Sequence, residues 1–155
     1  MQNAIAAARV RTLPNWVGRG TVGVVVAMGT RAVPRAPTPS EVTAITAYLG
    51  ELNSQTGVRP VTAEVVLMPA VLRPVPATIG LDPDTAAVRA AVGAAYSAFF
   101  ARDGAIGATI FRSRLGEAIS AAAGEYRHEL TAPAANVVCA PTELPTAGPI
   151  TWVVP

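Results

Sequence analysis

Apolar and β-branched residues near the N-terminus follow the pattern of paired strands. Val10 and Thr12, and then the run Thr21–Met28, are rich in residues that favour strands. The intervening Leu13–Gly20 carries a proline and two glycines, which favour a turn. This pattern predicts two strands joined by a turn. Three prolines in Arg31–Pro39 then predict an extended connection.

The strongest local signal in the chain is a helix start at Thr38. Thr38 is a good N-cap residue, Pro39 suits the first helical position, and Glu41 stands where a capping box places an acidic residue. Beyond this start, apolar residues at helical spacing mark one face: Val42, Ile45, Leu49 and Leu52. The pattern predicts a helix that ends at Asn53–Gly57.

In the middle of the chain, apolar residues recur first with the period of a strand and then with that of a helix. Residues 61–67 predict a strand with one buried face, and Val75–Leu81 predicts another after a break at Pro74. Asp82 and Asp84 are expected to cap a second helix, because carboxylates accept hydrogen bonds at a helix N-terminus. Its predicted apolar face comprises Val88, Val92, Ala95 and Phe99.

The last third of the chain predicts a third helix and further short strands. Ala108–Phe111 has the character of a short strand, and Ser113 is expected to cap a helix that carries Leu115, Ile119 and Ala122–Gly124. Two remaining β-like segments lie among prolines, which suit edge strands: Asn136–Ala140 and Ile150–Val154.

The order of these elements predicts an α+β fold of two small lobes. Residues 1–69 would form a strand-strand-helix-strand lobe, and residues 70–155 a strand-helix-helix-strand lobe. In both, helices are expected to pack on mainly antiparallel or mixed sheets.

Composition and charge exclude several classes of protein. With 51% hydrophobic and 14% charged residues, the chain has enough apolar surface to fold, which excludes intrinsic disorder. The net charge is only +2 and the arginines are spread out, so no nucleic-acid binding is predicted. No apolar run approaches the roughly 20 residues of a membrane span, and we expect neither membrane insertion nor export. A single cysteine, Cys139, forms no intramolecular disulfide.

The spacing of Gly18, Gly20 and Gly23 matches a dinucleotide-binding loop. That motif requires a helix directly after it, whose N-terminal amides hold the pyrophosphate. Here a β-prone run follows, and the acidic residue at the expected distance, Glu41, is already explained as part of a helix cap. We therefore predict a glycine-rich hairpin turn. A small-ligand or nucleotide-binding domain that uses Gly18–Gly23 is the alternative hypothesis.

The remaining candidate residues do not form a catalytic set. His128 lies near Glu125 and Glu129, but the chain has no second histidine, so we interpret this segment as a polar exposed turn. Cys139 lies in an apolar segment and is expected to be a small buried residue, not a nucleophile. We predict no catalytic, cofactor-binding or metal-binding residue and no enzymatic activity.

Two tryptophans are the remaining candidates for function. Trp152 is expected in the core or as a lid over it. Trp16 falls in the predicted turn, and tryptophan outside a regular core is a frequent interface anchor. Trp16 is therefore the one predicted partner-interface residue.

Seven segments, which together run over about residues 8 to 152, form an ordered series: Arg9–Trp16, Gly18–Val24, Arg59–Val65, Pro83–Val92, Ser113–Ile119, Leu130–Val137 and Leu144–Trp152. In this order they resemble the C-terminal half of the baseplate J-like family of Mu-like and related contractile-tailed phages.

The resemblance implies a structural protein of the tail baseplate. Members of that family assemble with other wedge proteins around a central hub, which implies other baseplate wedge proteins and copies of this chain as partners. It also implies location in the virion, after assembly in the bacterial cytoplasm, with no nucleic-acid, membrane or small-molecule partner. Family members are about twice as long. Gly116 departs from the charged helix residue more usual there, which would weaken the third helix.

Overall fold

A computed structural model describes residues 6–50 and 63–154, which have the α+β architecture predicted from the sequence. The chain divides into two compact units, Met1–Val71 and Leu72–Pro155. In chain order the elements are β1 (Arg9–Pro14), β2 (Thr21–Gly29), β3 (Pro34–Arg35), α1 (Pro39–Leu49), β4 (Glu64–Pro69), β5 (Val71–Asp82), α2 (Ala86–Asp103), β6 (Thr109–Ile110), α3 (Arg112–Ser120), β7 (Arg127–Ala132), β8 (Val137–Val138) and β9 (Glu143–Val153).

The first unit is built on a mixed sheet with β2 at its centre. β1 pairs antiparallel with β2, from Arg9 opposite Ala27 to Pro14 opposite Val22. On the other side β4 runs parallel to β2, and the short β3 pairs with the end of β2. The two predicted N-terminal strands and the turn between them are thus confirmed. A parallel neighbour requires a crossover, and α1 lies in the connection that leads to β4.

The predicted start of α1 at Thr38 is confirmed, and both hydrogen bonds of the capping box are present. Glu41 donates its backbone N–H to Thr38 Oγ1 at 3.3 Å, and its carboxylate accepts the Thr38 N–H at 2.8 Å. The helix ends at Leu49, followed by Gly50 at φ 87°. Ile45 packs with Val26 and Met28 to form a small core. The predicted helix residue Leu52 and the predicted stop at Asn53–Gly57 lie outside the described residues.

The second unit has a three-stranded sheet in the order β7-β5-β9. β5 starts at Val71, so the break predicted at Pro74 is wrong. β7 pairs with β5 only from Thr78 onwards. The missing N–H of Pro74 therefore removes no hydrogen bond to β7, and the strand continues through it. β6 and β8 form a separate antiparallel pair.

The start of α2 corrects the predicted caps Asp82 and Asp84. The N-cap is Thr85, whose hydroxyl accepts the Val88 N–H at 3.2 Å. Asp82 is the last residue of β5, and Asp84 binds the guanidinium of Arg89 with both oxygens at 2.6 Å. The hydroxyl of Thr85, which lies closer to the helix, therefore caps α2 in place of the carboxylates of Asp82 and Asp84.

Both helices of the second unit bury the apolar faces predicted for them. On α2, Val88, Val92 and Phe99 are buried and Ala95 packs at the edge, while two further buried residues were not predicted: Tyr96 and Phe100. On α3, Leu115 and Ile119 are fully buried. The helix ends at Ser120, so its predicted continuation through Ala122–Gly124 is wrong. Because α2 and α3 cover one face of the sheet, these side chains join those of β5 and β7 in one core.

Ser113 does not cap α3, which corrects a further prediction. The helix begins at Arg112 after Phe111, and Phe111 makes no side-chain cap bond. Instead, the Arg112 N–H donates to Asn136 Oδ1 at 3.0 Å. A residue 24 positions away in sequence thus supplies the acceptor, and local sequence does not reveal such a partner.

The strands after α3 differ most from prediction. β7 occupies Arg127–Ala132, where an exposed polar turn was predicted. β8 is limited to two residues, and β9 begins at Glu143, seven residues before the predicted Ile150. Pro145 and Pro149 lie inside β9, and prolines at these positions made the segment resemble a loop.

Candidate assembly interface

The β1–β2 turn, residues 15–20, is held in one conformation by its own hydrogen bonds. Thr21 Oγ1 accepts the Val17 N–H at 3.0 Å and donates to the Gly18 carbonyl at 2.7 Å. Asn15 has φ 54°, which asparagine tolerates better than most residues, and Gly18 and Gly20 also have positive φ. The turn therefore presents its side chains from a defined backbone.

Trp16 lies at this turn and rests on a glycine of β2. A Cβ built on Gly23 would lie 3.0 Å from Trp16 Cγ and 2.7 Å from Met68 Cε. Only a residue without a side chain leaves room for the indole at this position. Trp16 is nevertheless 39% exposed, so one side of the ring packs on the sheet and the rest faces solvent. A partly buried, pre-positioned tryptophan suits an interface anchor.

Val17 extends the exposed apolar surface beside Trp16. Its side chain is 68% exposed at the tip of the hairpin. The sequence analysis did not single it out, although its position next to Trp16 within the predicted turn was the available signal. The two side chains form the surface called here the hairpin tip.

The glycine loop lacks the geometry of a nucleotide site. β2 starts at Thr21, directly after Gly20, and Gly23 lies within that strand. No helix N-terminus therefore faces Gly18–Gly23 from the following segment, as the alternative hypothesis requires. Gly23 makes room for Trp16 and does not approach a ligand from a loop.

His128 lies on β7, paired opposite Leu81 of β5, and not in an exposed turn. Its Nδ1 is 2.8 Å from Glu125 Oε1, and the side chains are 16% and 6% exposed respectively. Glu125 lies in the connection between α3 and β7, so the pair is a local contact at the start of β7. Glu129 is on the same strand but exposed. Within residues 6–50 and 63–154, no group of three or more potential ligand side chains could hold a metal ion.

Cys139 is buried, as predicted. Burial raises the pKa of its thiol, and the positive charge of Arg73 opposes this shift only in part. The neighbouring Arg73 bonds the Val138 carbonyl at 2.9 Å and Glu143 Oε2 at 2.8 Å. A thiol with a raised pKa forms little thiolate, so these contacts hold the segment after β8 in place without activating the sulfur.

Trp152 contributes to the core of the second unit, as predicted. It is partly buried on β9 and packs at the edge of the buried cluster. The guanidinium carbon of Arg89 lies 5.6 Å from the ring centroid, which is within cation–π range.

Two hollows lined by described residues of the second unit have volumes of about 120 Å³ each, and Arg114 lines part of both. Neither has the volume of a typical small-molecule site, roughly 300 Å³ or more.

No described helix is long and apolar enough to span a membrane.

Comparison with known proteins identifies the family of each half of the chain. The model of the baseplate J-like central domain matches residues 2–69, and that of the baseplate J-like protein C-terminal domain matches residues 74–153. The putative protein JayE of Escherichia coli is 36% identical over 144 residues, which cover 93% of this chain and 52% of that protein.

Two phage proteins are also similar. The baseplate protein gp47 of Escherichia phage Mu is 30% identical over 149 residues, covering 94% of this chain and 41% of that protein. The Mu-like prophage FluMu protein gp47 of Haemophilus influenzae is 30% identical over 142 residues, covering 89% and 39%. This chain thus spans about two fifths to one half of the length of these relatives. Because the two domain models match nearly all of it in sequence order, the chain belongs to the baseplate J-like protein family.

Proposed function

We propose that the chain is a structural component of a contractile phage tail baseplate and acts through protein–protein contacts. The observation that carries this proposal is the pair of consecutive domain matches, residues 2–69 and 74–153. The similarity to a protein named as a phage Mu baseplate protein supports it. Its partners would be other baseplate wedge proteins and copies of itself, and its location the virion tail baseplate after assembly in the host cytoplasm.

The same proposal assigns no enzymatic activity, cofactor, nucleic acid, membrane or small-molecule substrate to the chain. The raised pKa of the Cys139 thiol and the pairing of His128 with Glu125 within the fold support a structural role for both residues. It also treats residues 1–69 and 70–155 as two lobes that present separate surfaces. The hairpin tip, with Trp16 as its anchor, is the proposed contact surface of the first lobe.

Co-purification with the other wedge proteins of the same tail tests the proposal. The intact chain should join a larger symmetric complex, whereas Trp16→Ala should weaken its association by roughly tenfold or more, as expected for an interface anchor. Val33→Ala is a matched control, since Val33 is also apolar, 73% exposed and located in another turn of the same unit. It should co-purify like the intact chain.

Thermal unfolding separates an interface role of Trp16 from a core role. If Trp16→Ala lowers the melting temperature strongly and leaves association of the folded protein unchanged, Trp16 belongs to the core. The alternative nucleotide-binding function has its own test, a ligand-induced rise in melting temperature that is lost in Gly20→Val. Failure to join wedge proteins under any condition, together with such a ligand, would contradict the structural proposal.

A further inference from the structure

The β1–β2 turn carries an exposed arginine in addition to the hairpin tip. The Asn15 N–H donates to the Thr21 carbonyl at 2.8 Å, so residues 16–20 lie beyond the paired strands. Arg19 belongs to this segment and is exposed. Tryptophan and arginine are the residue types found most often among the side chains that dominate binding at protein interfaces. Arg19 is therefore a further candidate contact residue of the first unit.

The charge of Arg19 is not neutralised by the described part of the chain. Within residues 6–50 and 63–154, its side chain forms no hydrogen bond or ion pair. Glu64 starts the neighbouring strand β4, and its N–H donates to the Gly20 carbonyl at 2.9 Å, but its carboxylate forms no ion pair with Arg19. A carboxylate of a binding partner can therefore pair with this guanidinium without displacing a described contact.

The backbone around Arg19 is held by two successive turns. The Gly18 N–H donates to the Asn15 carbonyl at 3.3 Å, and the Thr21 N–H donates to the Gly18 carbonyl at 3.2 Å. None of these bonds uses Arg19, so a substitution there leaves them intact. Because the turn is already ordered, binding through it costs less conformational entropy than binding through a flexible loop.

We propose that the hairpin tip and Arg19 bind together to an apolar recess of a partner protein that has a carboxylate at its rim. Apolar groups of the recess cover Trp16 and Val17, and the carboxylate offsets the cost of removing the guanidinium from water. Arg19 then determines which recess is accepted, because a recess without an acidic group leaves the charge unpaired. The proposal deepens the baseplate role proposed above and rests on it in treating the partner as another baseplate protein.

A second copy of this chain is a poorer partner than a different protein. Among the described residues of the second unit, Asp103 lines one hollow and Glu117 the other. Asp103 accepts two bonds of 2.9 Å from Arg102. Glu117 accepts a bond of 2.8 Å from Arg114, which itself lines both hollows. Both carboxylates are thus already paired, and Arg19 of another copy would meet a like charge there.

Site-specific photo-cross-linking identifies what the hairpin tip contacts. The photoreactive residue p-benzoylphenylalanine replaces Val17 in the intact chain, which is then mixed with the purified wedge proteins of the same tail. Mass spectrometry should find cross-links to one wedge protein, in a segment that contains apolar residues and an aspartate or glutamate. The same label at Val33, which is exposed in another turn of the unit, is the control and should give little product. Equal yields from both positions, a captured segment without an acidic residue, or capture of a second copy alone overturns the proposal.

Charge variants test the contribution of Arg19 to binding of the captured wedge protein. Arg19→Glu should weaken this binding by roughly tenfold or more, whereas Arg31→Glu, at an exposed arginine of another turn, should change it by less than about twofold. Exchanging the acidic residue of the captured segment for arginine should restore binding to Arg19→Glu. Arg19→Gln is the milder variant if Arg19→Glu does not fold, and its binding should lose the dependence on salt between about 0.05 M and about 0.5 M.

The outcomes separate this proposal from the baseplate role. If a wedge protein binds the intact chain and the folded Arg19 variants equally well, the proposal for the hairpin tip and Arg19 fails while the baseplate role stands. If no wedge protein binds the intact chain, the baseplate role fails, and the proposed partner fails with it.

Discussion

The described residues of the two units differ in the size of their buried clusters and in their local polar contacts. In the first unit, Val26, Met28 and Ile45 form one described core cluster, and further residues of β2 are also buried. A capping box and a hydrogen-bonded turn add local polar contacts. In the second, fourteen buried residues form one cluster that includes three aromatic rings. Within this cluster the Tyr96 hydroxyl donates to the Val75 carbonyl at 2.6 Å, and burial raises the pKa of that hydroxyl. Among the described residues, the second unit thus has the larger buried cluster.

This contrast also extends to the surfaces. Among the described residues, the first unit exposes Trp16 and Val17 at the hairpin tip, whereas in the second the Arg112 guanidinium donates to the Leu130 carbonyl of β7. The proposed contact surface thus lies in the first unit, and the larger described core in the second.

The largest expected effect is a core truncation in the second unit. Leu115 is fully buried in the main cluster, so Leu115→Ala should lower the free energy of unfolding of that unit by about 2–5 kcal/mol. Trp16→Phe leaves Trp152 as the only tryptophan, and denaturation followed by its fluorescence reports on the second unit. Ile119→Val, at an equally buried site, is the milder control and should cost about 0.5–1.5 kcal/mol. If Leu115→Ala and Ile119→Val both left the free energy of unfolding essentially unchanged, this result would contradict a tightly packed core.

A single added methyl group tests the close approach of two strands in the same unit. A Cβ on Gly148 would collide with the Val75 carbonyl and lie 2.7 Å from the Pro76 nitrogen. Because these are backbone atoms, they cannot move aside easily, and Gly148→Ala should cost about 1–3 kcal/mol in chemical denaturation. Gly93→Ala is the matched control on α2: its Cβ would meet nothing within 4 Å, so a gain of about 0.5–1 kcal/mol is expected. If Gly148→Ala and Gly93→Ala changed the free energy of unfolding in the same direction, this result would contradict the close contact between Gly148 and the backbone of β5.

The predictable and unpredictable parts of this fold differ in how far apart the interacting residues lie. The capping box at Thr38 joins residues three positions apart, so its sequence signature was sufficient. The cap of α3 depends on Asn136, and β7 is recognisable only through its pairing with β5. Likewise, Trp16 could be assigned to a turn, but the Gly23 position on which it rests follows from the β1–β2 register. Local rules carry no information on such distant partners.

In the first unit, the capping box should contribute a moderate and pH-dependent share of stability. Thr38→Ala should cost about 1 kcal/mol, through the loss of the bond from the Glu41 N–H. With Trp152→Phe, denaturation followed by Trp16 fluorescence reports on this unit. The control Thr43→Ala loses only a bond to the Pro39 carbonyl inside the helix and should have a smaller effect. A loss no greater than that of the control would mean that the cap does not stabilise the unit.

The pH dependence follows from the same contacts. The bond from Arg35, followed by the bond from the Thr38 N–H, lowers the pKa of Glu41 to about 2. Because the folded-state pKa is below the unfolded value of about 4.3, the stabilisation is complete well above pH 4.3 and is lost as the pH falls towards 2. NMR titration of the Glu41 carboxyl carbon measures this directly. A midpoint near 4.3 would contradict the ion pair and the cap bonds.

The smallest expected effect is a gain in stability at Gly116, and it concerns the one helix of the second unit that lacks a local cap. Glycine within a helix costs about 0.5–1 kcal/mol relative to alanine, because it loses more backbone freedom on folding. A Cβ at Gly116 would make one ordinary contact, 3.7 Å from His128 Nε2, so the added methyl fits without displacing the His128–Glu125 pair. Gly116→Ala should therefore raise the free energy of unfolding by about 0.5–1 kcal/mol, as measured by Trp152 fluorescence. Gly104→Ala is the opposing control, since its Cβ would collide with the Phe100 carbonyl and destabilise the unit. A loss of stability in Gly116→Ala would show that α3 and β7 pack too tightly at this position to admit a methyl group. The glycine would then not be what lowers the stability of α3.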